Sequence, residues 1–258
     1  MCVDVREKTP LVSVIMPAYN TERFIAEAID SVIRQTVTDW ELIVINDSSD
    51  DATREIVKRY VKKYARIHLY ENAQNLGVAK TRNRGLELCN GRYVALLDSD
   101  DYWHPNFLEK MVCCAERTNA DLTYCSYELI DECGDKICKD FIVPLATTFE
   151  KSIVRSVITC STVLMRSEIA KNNHFPTDVY HEDIALWFSL LQEGKTARGV
   201  PDVLAAYRQR ANSRSAGKIR SACRRWTIYR KYLKMPFIKS AITIIRYGYY
   251  GIKKFKRI

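Results

Sequence analysis

Three carboxylates follow an apolar run in the stretch Ala95-Leu96-Leu97-Asp98-Ser99-Asp100-Asp101. Acids crowded in this way repel one another unless a cation or a proton compensates. Oxygen donors of this kind favour magnesium or manganese, usually with a substrate diphosphate completing the shell. A polar turn that caps a following helix through Asp100 or Asp101 is the plainer reading. A second acidic pair, Glu182 and Asp183, precedes the apolar helix Ile184-Ala-Leu-Trp-Phe-Ser-Leu-Leu191. There a helix dipole welcomes negative charge, and a carboxylate so placed can also take a proton from a hydroxyl.

The elements that must position these acids are legible. Residues Arg92 to Leu97 read as a buried strand, and Leu11 to Met16 as another, stopped by Pro17. Trp40 to Ile45 and Ile67 to Tyr70 are further strands. Helical stripes run through Glu22 to Gln35, Ala52 to Lys63, and from Asn75-Leu-Gly to Leu88. Alternating strands and helices of this length predict an α/β fold, a mostly parallel sheet flanked by helices. Each strand delivers its polar end to one edge, where ligands collect. Asn20, Asp47 and Asp98 are therefore expected to cluster there.

Six segments follow one another in a familiar order: Val12-Ser-Val-Ile-Met-Pro-Ala-Tyr-Asn20, Trp40-Glu-Leu-Ile-Val-Ile-Asn-Asp-Ser-Ser49, Asn75-Leu-Gly-Val-Ala-Lys-Thr-Arg-Asn83, Asp98-Ser-Asp-Asp101, His181-Glu-Asp183 and Tyr207-Arg-x-Arg-x-x-Ser213. Together they resemble the family 2 glycosyltransferases of the GT-A fold, over roughly residues 11 to 215.

The resemblance implies a nucleotide-sugar-binding half over residues 1–101, an acceptor-binding half over 102–206 and a basic tail over 207–258. It implies that Pro17, Ala18, Tyr19 and Asn20 receive the base and ribose, with Glu22 beside them. Asp47 would accept a hydrogen bond from uracil, and Arg82 would lie near the uracil and diphosphate. Asp98 would contact the ribose or donor sugar, and Asp100 would hold a manganese or magnesium ion, with Asp98 as its companion ligand. Glu182 or Asp183 would be the general base of an inverting transfer. Arg208 and Arg210 stand where many relatives place a metal-reaching histidine, and would clamp the diphosphate instead. With its basic tail, the chain resembles bacterial O-antigen enzymes. Those commonly move glucose or galactose from a UDP-sugar, in a β1,3 linkage, to an N-acetylhexosamine on diphospho-undecaprenol.

The bulk composition narrows the alternatives. Nine cysteines in irregular spacing, with no Cys-x-x-Cys pair, fit neither a zinc site nor a disulfide scaffold. The polar, acid-bearing N-terminus is not a signal peptide, and no apolar run approaches a spanning length of about 20 residues. A cytoplasmic protein, peripheral on the inner face of the membrane, is expected. Met16-Pro-Ala-Tyr-Asn20 lacks the glycines of a phosphate loop, which argues against a sugar-phosphate nucleotidyltransferase. A non-catalytic binding module would have no use for Asp98, Asp100 and the Glu182–Asp183 pair together.

The net charge of +9 is divided unevenly, since no Asp or Glu follows Asp202 while Arg208 to Arg257 supply 16 basic residues. Within this tail, Ile219, Ala222, Cys223, Trp226, Tyr229 and Leu233 form one helical stripe, expected to dock on the body. Phe237, Ile238, Ala241, Ile242, Ile245, Tyr249 and Ile252 form a second, with Lys239, Arg246, Lys253, Lys254, Lys256 and Arg257 around or beyond it. A basic amphipathic helix with aromatics is the pattern of a membrane-surface anchor. No recognition motif points to nucleic acid.

Overall fold

A computed structural model describes residues 9–210 and 218–255. The chain begins with β1 (Val12–Ala18), α1 (Ile25–Ile33), β2 (Trp40–Asn46), α2 (Thr53–Lys63), β3 (Ile67–Glu71), α3 (Val78–Leu88) and β4 (Tyr93–Leu96). It continues through β5 (Tyr102–Trp103), α4 (Phe107–Thr118), β6 (Leu122–Ile130), β7 (Ala146–Thr147), α5 (Phe149–Ser152), β8 (Val163–Arg166), α6 (Ser167–Asn172), α7 (Glu182–Gln192) and β9 (Ala197–Arg208). Two helices follow, α8 (Lys218–Thr227), prolonged by a π-helical turn, and α9 (Phe237–Phe255).

One sheet carries the strands in the order β3-β2-β1-β4-β8-β6-β9-β5, with β7 on β9. The parallel pairing foreseen from the repeat holds for β3, β2, β1 and β4. Beyond β4 the sheet is mixed: β8 runs antiparallel to both β4 and β6, whereas β6 and β9 are parallel. The sheet is continuous across residue 101, because β4 pairs with β8.

Pro17 does not stop β1, which pairs with β2 through Pro17 and Ala18. Pairing with β4 ends at Ile15–Leu96. In a parallel strand residue 17 faces the same neighbour as residue 15, so the missing Pro17 N–H points where no ladder partner is needed.

Strand residues alternate between the two faces. Val12, Val14 and Met16 join Leu42, Val44, Ala95 and the apolar sides of α1 and α4 in one buried layer. Ile15, Ile43, Ile45, Val94 and Leu96 form the other with Leu86, Leu186 and Trp187. Gly85 lets α3 lie against β1: a Cβ there would stand 2.4 Å from Ile15 Cγ2. That close approach seats Arg82, one turn earlier on α3, at the sheet edge.

A third buried cluster joins Ile153 and Val154 to Ala185 and Phe188 of α7 and to Ile228, Tyr229, Leu233 and Met235. The first tail segment therefore docks on the body through Tyr229 and Leu233 of the expected stripe, whereas Cys223 of that stripe is exposed and Arg225 beside it is buried, its guanidinium bonded to Ile153 O and Ser156. Helix α9 does so in an unusual sense. Ser240 and Thr243 are buried, their hydroxyls bonded to Pro236 O and Lys239 O of their own helix, while Phe237, Ile238, Ile242, Ile245 and Tyr249 stay exposed. Among the described residues no helix is long and apolar enough to cross a membrane. The side chains of Ile219, Ile252, Lys253, Lys254, Lys256 and Arg257, and Ser213 of the basic motif, lie outside the described residues.

Candidate active site

The C-terminal ends of β1, β2 and β4 meet at one edge of the sheet, bringing the segments around Asn20, Asp47 and Asp98 together. Pro17 and Ala18 are strand residues, and Ala18 O accepts the Asp47 N–H at 2.8 Å. Tyr19 beyond them is exposed. The loops after β1 and β2 are laced reciprocally: Asn20 N–H donates to Ser49 Oγ, Asn20 Oδ1 accepts from Asp50 N–H, and Glu22 Oε2 accepts from Ala52 N–H. Asn20 and Ser48 both adopt positive φ, 51° and 61°. Such backbone strain persists only where surroundings hold it, and it gathers at binding sites. A cleft of about 290 Å³ opens here between Asn20, Glu22, Arg23, Glu132 and Arg210.

Asp47 is buried and shapes the next turn. Its Oδ1 accepts from Asn72 Nδ2 (2.6 Å) and Leu76 N–H (2.9 Å), and its Oδ2 from Gly77 N–H (2.9 Å). Gly77 sits at φ 83°, where a side chain would be strained. An anion at this point also suits the N-terminus of α3.

From α3 the Arg82 guanidinium reaches two acids distant in sequence. Nη1 donates to Glu182 Oε1 at 2.8 Å and Nη2 to Asp98 Oδ1 at 2.6 Å. The Phe175 ring lies 5.4 Å away. Arg82 is buried, and the flanking carboxylates, Asp98 foremost among them, outweigh desolvation and raise its pKa, so it stays charged. A buried charge of this kind is tolerable only when paired and hydrogen-bonded.

The three carboxylates after β4 have separate partners. Asp98 holds Arg82, and its N–H donates to Ser161 Oγ at 3.1 Å. Asp101 is buried; it accepts from Ser161 Oγ (2.5 Å) and from Arg208 N–H (2.8 Å). Burial, with the charges of Asp100 and Asp98, pushes its carboxyl far up. Asp100 is half-buried with Arg210 Nη1 at 3.5 Å. Burial and the Asp98 charge raise its pKa.

Arg208 is placed differently from the diphosphate clamp expected for it. Its buried guanidinium donates to Asp100 O, Asp131 O and Glu27 Oε2, and lies over the Phe24 ring. These bonds fix the turn that carries Asp100, and leave Arg210, at 39% side-chain exposure, facing the cleft with Arg23.

Among the described residues no three His, Cys, Asp or Glu side chains form a metal cage. Asp98 and Asp100 nonetheless fit a hard divalent cation. Such an ion commonly takes one or two carboxylates and fills its shell with water and substrate phosphates. The mutual repulsion that raises Asp100 is what that charge would relieve.

Glu182 and Asp183 occupy the first turn of α7, behind His181 at φ 75°. Glu182 is turned to Arg82. Asp183 is pushed up to about 6, chiefly by burial, then by the charge of Glu182, with Arg82 opposing. A carboxylate poised there can accept a proton near neutral pH.

The Glycosyl transferase family 2 profile matches residues 13–172. TuaG of Bacillus subtilis, assigned to teichuronic acid biosynthesis, is 36% identical over 245 residues, 95% of this chain and 97% of that one. The chain belongs to glycosyltransferase family 2. A second relative of this family 2 chain is WfgD of Escherichia coli, a UDP-Glc:α-D-GlcNAc-diphosphoundecaprenol β-1,3-glucosyltransferase. It is 34% identical over 245 residues, 95% of this chain and 94% of that one. In fold, this family 2 enzyme is similar to S. aureus TarS 1–349 in complex with UDP-GlcNAc, with a TM-score of 0.72 and 20% identity, covering 92% of this chain and 71% of that one. The mannosyltransferase PcManGT of Pyrobaculum calidifontis, in complex with GDP-Man and Mn²⁺, gives a TM-score of 0.69 at 22% identity, covering 89% and 66%.

Several groups that build this family 2 site carried no signal in the sequence. Ser161 lies in a short turn before β8 and ties Asp98 to Asp101. Glu27, on α1, anchors Arg208 from 181 residues away. Phe175 lies in none of the six motifs, and its ring meets the Arg82 guanidinium only in the folded chain. Only tertiary contact gives each its place.

Proposed function

We propose that this chain is an inverting, metal-dependent hexosyltransferase. It moves glucose or galactose from a UDP-sugar to an N-acetylhexosamine on a lipid diphosphate, in a β1,3 linkage, for a bacterial surface polysaccharide. The observation that carries the reading is Arg82, which joins Asp98 of the donor edge to Glu182, the neighbour of the perturbed carboxyl of Asp183. Relatives of similar length supply the substrate classes.

In this reading Pro17, Ala18, Tyr19 and Asn20 receive base and ribose, with Glu22 holding their loop. Asp47 Oδ2 accepts one bond from Gly77 and keeps capacity for a uracil N–H. Asp98 and Asp100 would hold the cation, whose charge would offset that of the departing diphosphate. Arg210 adds a second positive charge from the cleft side. Asp183 takes the acceptor hydroxyl's proton as that oxygen attacks the anomeric carbon and the nucleoside diphosphate leaves. Glu182 is a positioning residue: it holds Arg82, and its charge raises Asp183. Displacement from the far side turns an α-linked donor into a β-linked product.

The exposed apolar face of α9, with Lys239 and Arg246 beside it, lies on the anionic inner surface of the cell membrane. Each basic residue near such a surface contributes about 1 kcal/mol.

Incubation with manganese, radiolabelled UDP-hexoses and an N-acetylhexosaminyl-diphospho-lipid tests the reading. Transfer from one donor, abolished by EDTA, is expected. UDP binding without transfer from any donor would overturn the acceptor assignment.

A further inference from the structure

A groove of about 400 Å³ runs between α5 and α9, within the range of lipid and small-ligand sites. Ile153, Pro236, Ile238 and Ile242 give it apolar walls, Lys239 and Arg246 stand at it as cations, and Glu150 is its one acid. It belongs to no part of the nucleotide edge. We propose that it holds the proximal hydrocarbon of the acceptor's polyprenyl chain and so guides the diphosphate sugar towards Asp183. This rests on the lipid-diphosphate acceptor of the function proposed above.

Three observations favour that occupant. The groove shares Ile238 and Ile242 with the exposed stripe of α9, so one side of it is continuous with the face that meets lipid. Its other wall, Ile153, packs in one cluster with Ala185 and Phe188 of α7. Phe188 lies about 7.5 Å along the helix axis from Asp183. The groove wall is thus built on the helix that carries Asp183. Lys239 and Arg246 supply the charge that an anionic diphosphate beside an apolar tail requires.

The hydroxyl side of α9 makes sense in the same terms. Turning Ser240 and Thr243 inward with Ile244 leaves Ile238, Ile242 and Ile245 available to an apolar ligand, at no loss of hydrogen bonding because both hydroxyls bond a carbonyl one turn earlier. A helix serving stability alone would turn Ile238, Ile242 and Ile245 into the body.

Ile242→Trp fills the groove at a half-exposed position, where the fold tolerates bulk, and keeps the face apolar for membranes. KM is measured with a long-chain prenyl acceptor and with a short-alkyl acceptor bearing the same diphosphate sugar. For the long-chain acceptor KM should rise about tenfold, equivalent to roughly two buried methylenes. For the short one it should not change, and binding to anionic vesicles should persist. Equal KM changes for both acceptors, or none for either, would overturn the groove.

A prenyl diphosphate carrying a diazirine on its first isoprene units gives a readout independent of transfer. Crosslinks within 149–153 and 236–246 are expected, and fewer in Ile242→Trp. Crosslinking elsewhere, with these segments unlabelled, would refute the assignment. If wild-type protein transfers sugar to neither acceptor, the function proposed above fails; if it transfers but does not crosslink here, only the groove does.

Discussion

The edge of β1, β2 and β4 and the outer face of α9 break the ordinary rules of burial in opposite ways. At the sheet edge Arg82, Glu182, Asp47 and Asp101 are ionisable groups taken out of water. On α9, Phe237, Ile238, Ile242, Ile245 and Tyr249 are large apolar groups left in it. Helix α1 obeys them: it carries a comparable stripe and buries Ile25, Ala28, Ile29 and Val32. Departures of this sort are expected where function overrides stability. The buried charges belong to the proposed chemistry, and the exposed apolar groups to the proposed partner surface.

The contrast can be broken at its strongest point first. Arg82→Leu leaves Glu182 and Asp98 without their shared cation. It should destabilise the protein by about 3–5 kcal/mol, as removal of one member of a buried ion pair does; chemical denaturation measures it. A loss below about 1 kcal/mol would mean the cluster is solvated rather than buried. Asp100→Ala removes a proposed cation ligand that the fold does not need. Transfer should fall about 10²- to 10³-fold, equivalent to roughly 3–4 kcal/mol, with the melting temperature kept. Near-normal transfer would sink the metal assignment.

The two helices then serve as a matched pair. Ile29→Ala on α1 opens a cavity under the sheet and should lower stability by about 3 kcal/mol. Ile245→Ala on α9 should change it by less than about 0.5 kcal/mol. The combined Ile238→Ser and Ile245→Ser variant should nonetheless lose most of its binding to anionic vesicles. Equal destabilisation by the two alanine substitutions would show that α9 buries its stripe in solution, and the comparison would collapse.

How much of this was open to reading from sequence depends on the range of the interaction. Strand ends, helix stripes and the acids at residues 98–101 and 182–183 are local patterns, and the edge that collects them follows from strand–helix repetition. Pro17 misled because a proline stops a strand only where a neighbour needs its N–H, and the register that decides this is not local. Arg208 is similar: the family resemblance implied a clamp shared with Arg210, yet Glu27 and the carbonyls of Asp131 and Asp100 take it up from three separate segments. Periodicity also identifies which residues of α9 share a face, but not whether that face turns inward. That choice was made by Ser240, Thr243 and Ile244, a small inward face that no hydropathy pattern singles out.

In the function proposed above, Asp183 takes a proton at the sheet edge during sugar transfer. Its pKa is raised to about 6, so the carboxylate proposed as base is present above that pH and lost below it. The direct measurement is kcat/KM for transfer from pH 5 to 9 at saturating manganese, for wild type and Asp183→Asn. Wild-type activity should fall towards tenfold per pH unit below about 6, while the variant keeps UDP binding but is slower by about 10²- to 10⁴-fold with no such inflection. A wild-type profile flat through pH 6, together with a variant that transfers at a near-normal rate, would contradict the account.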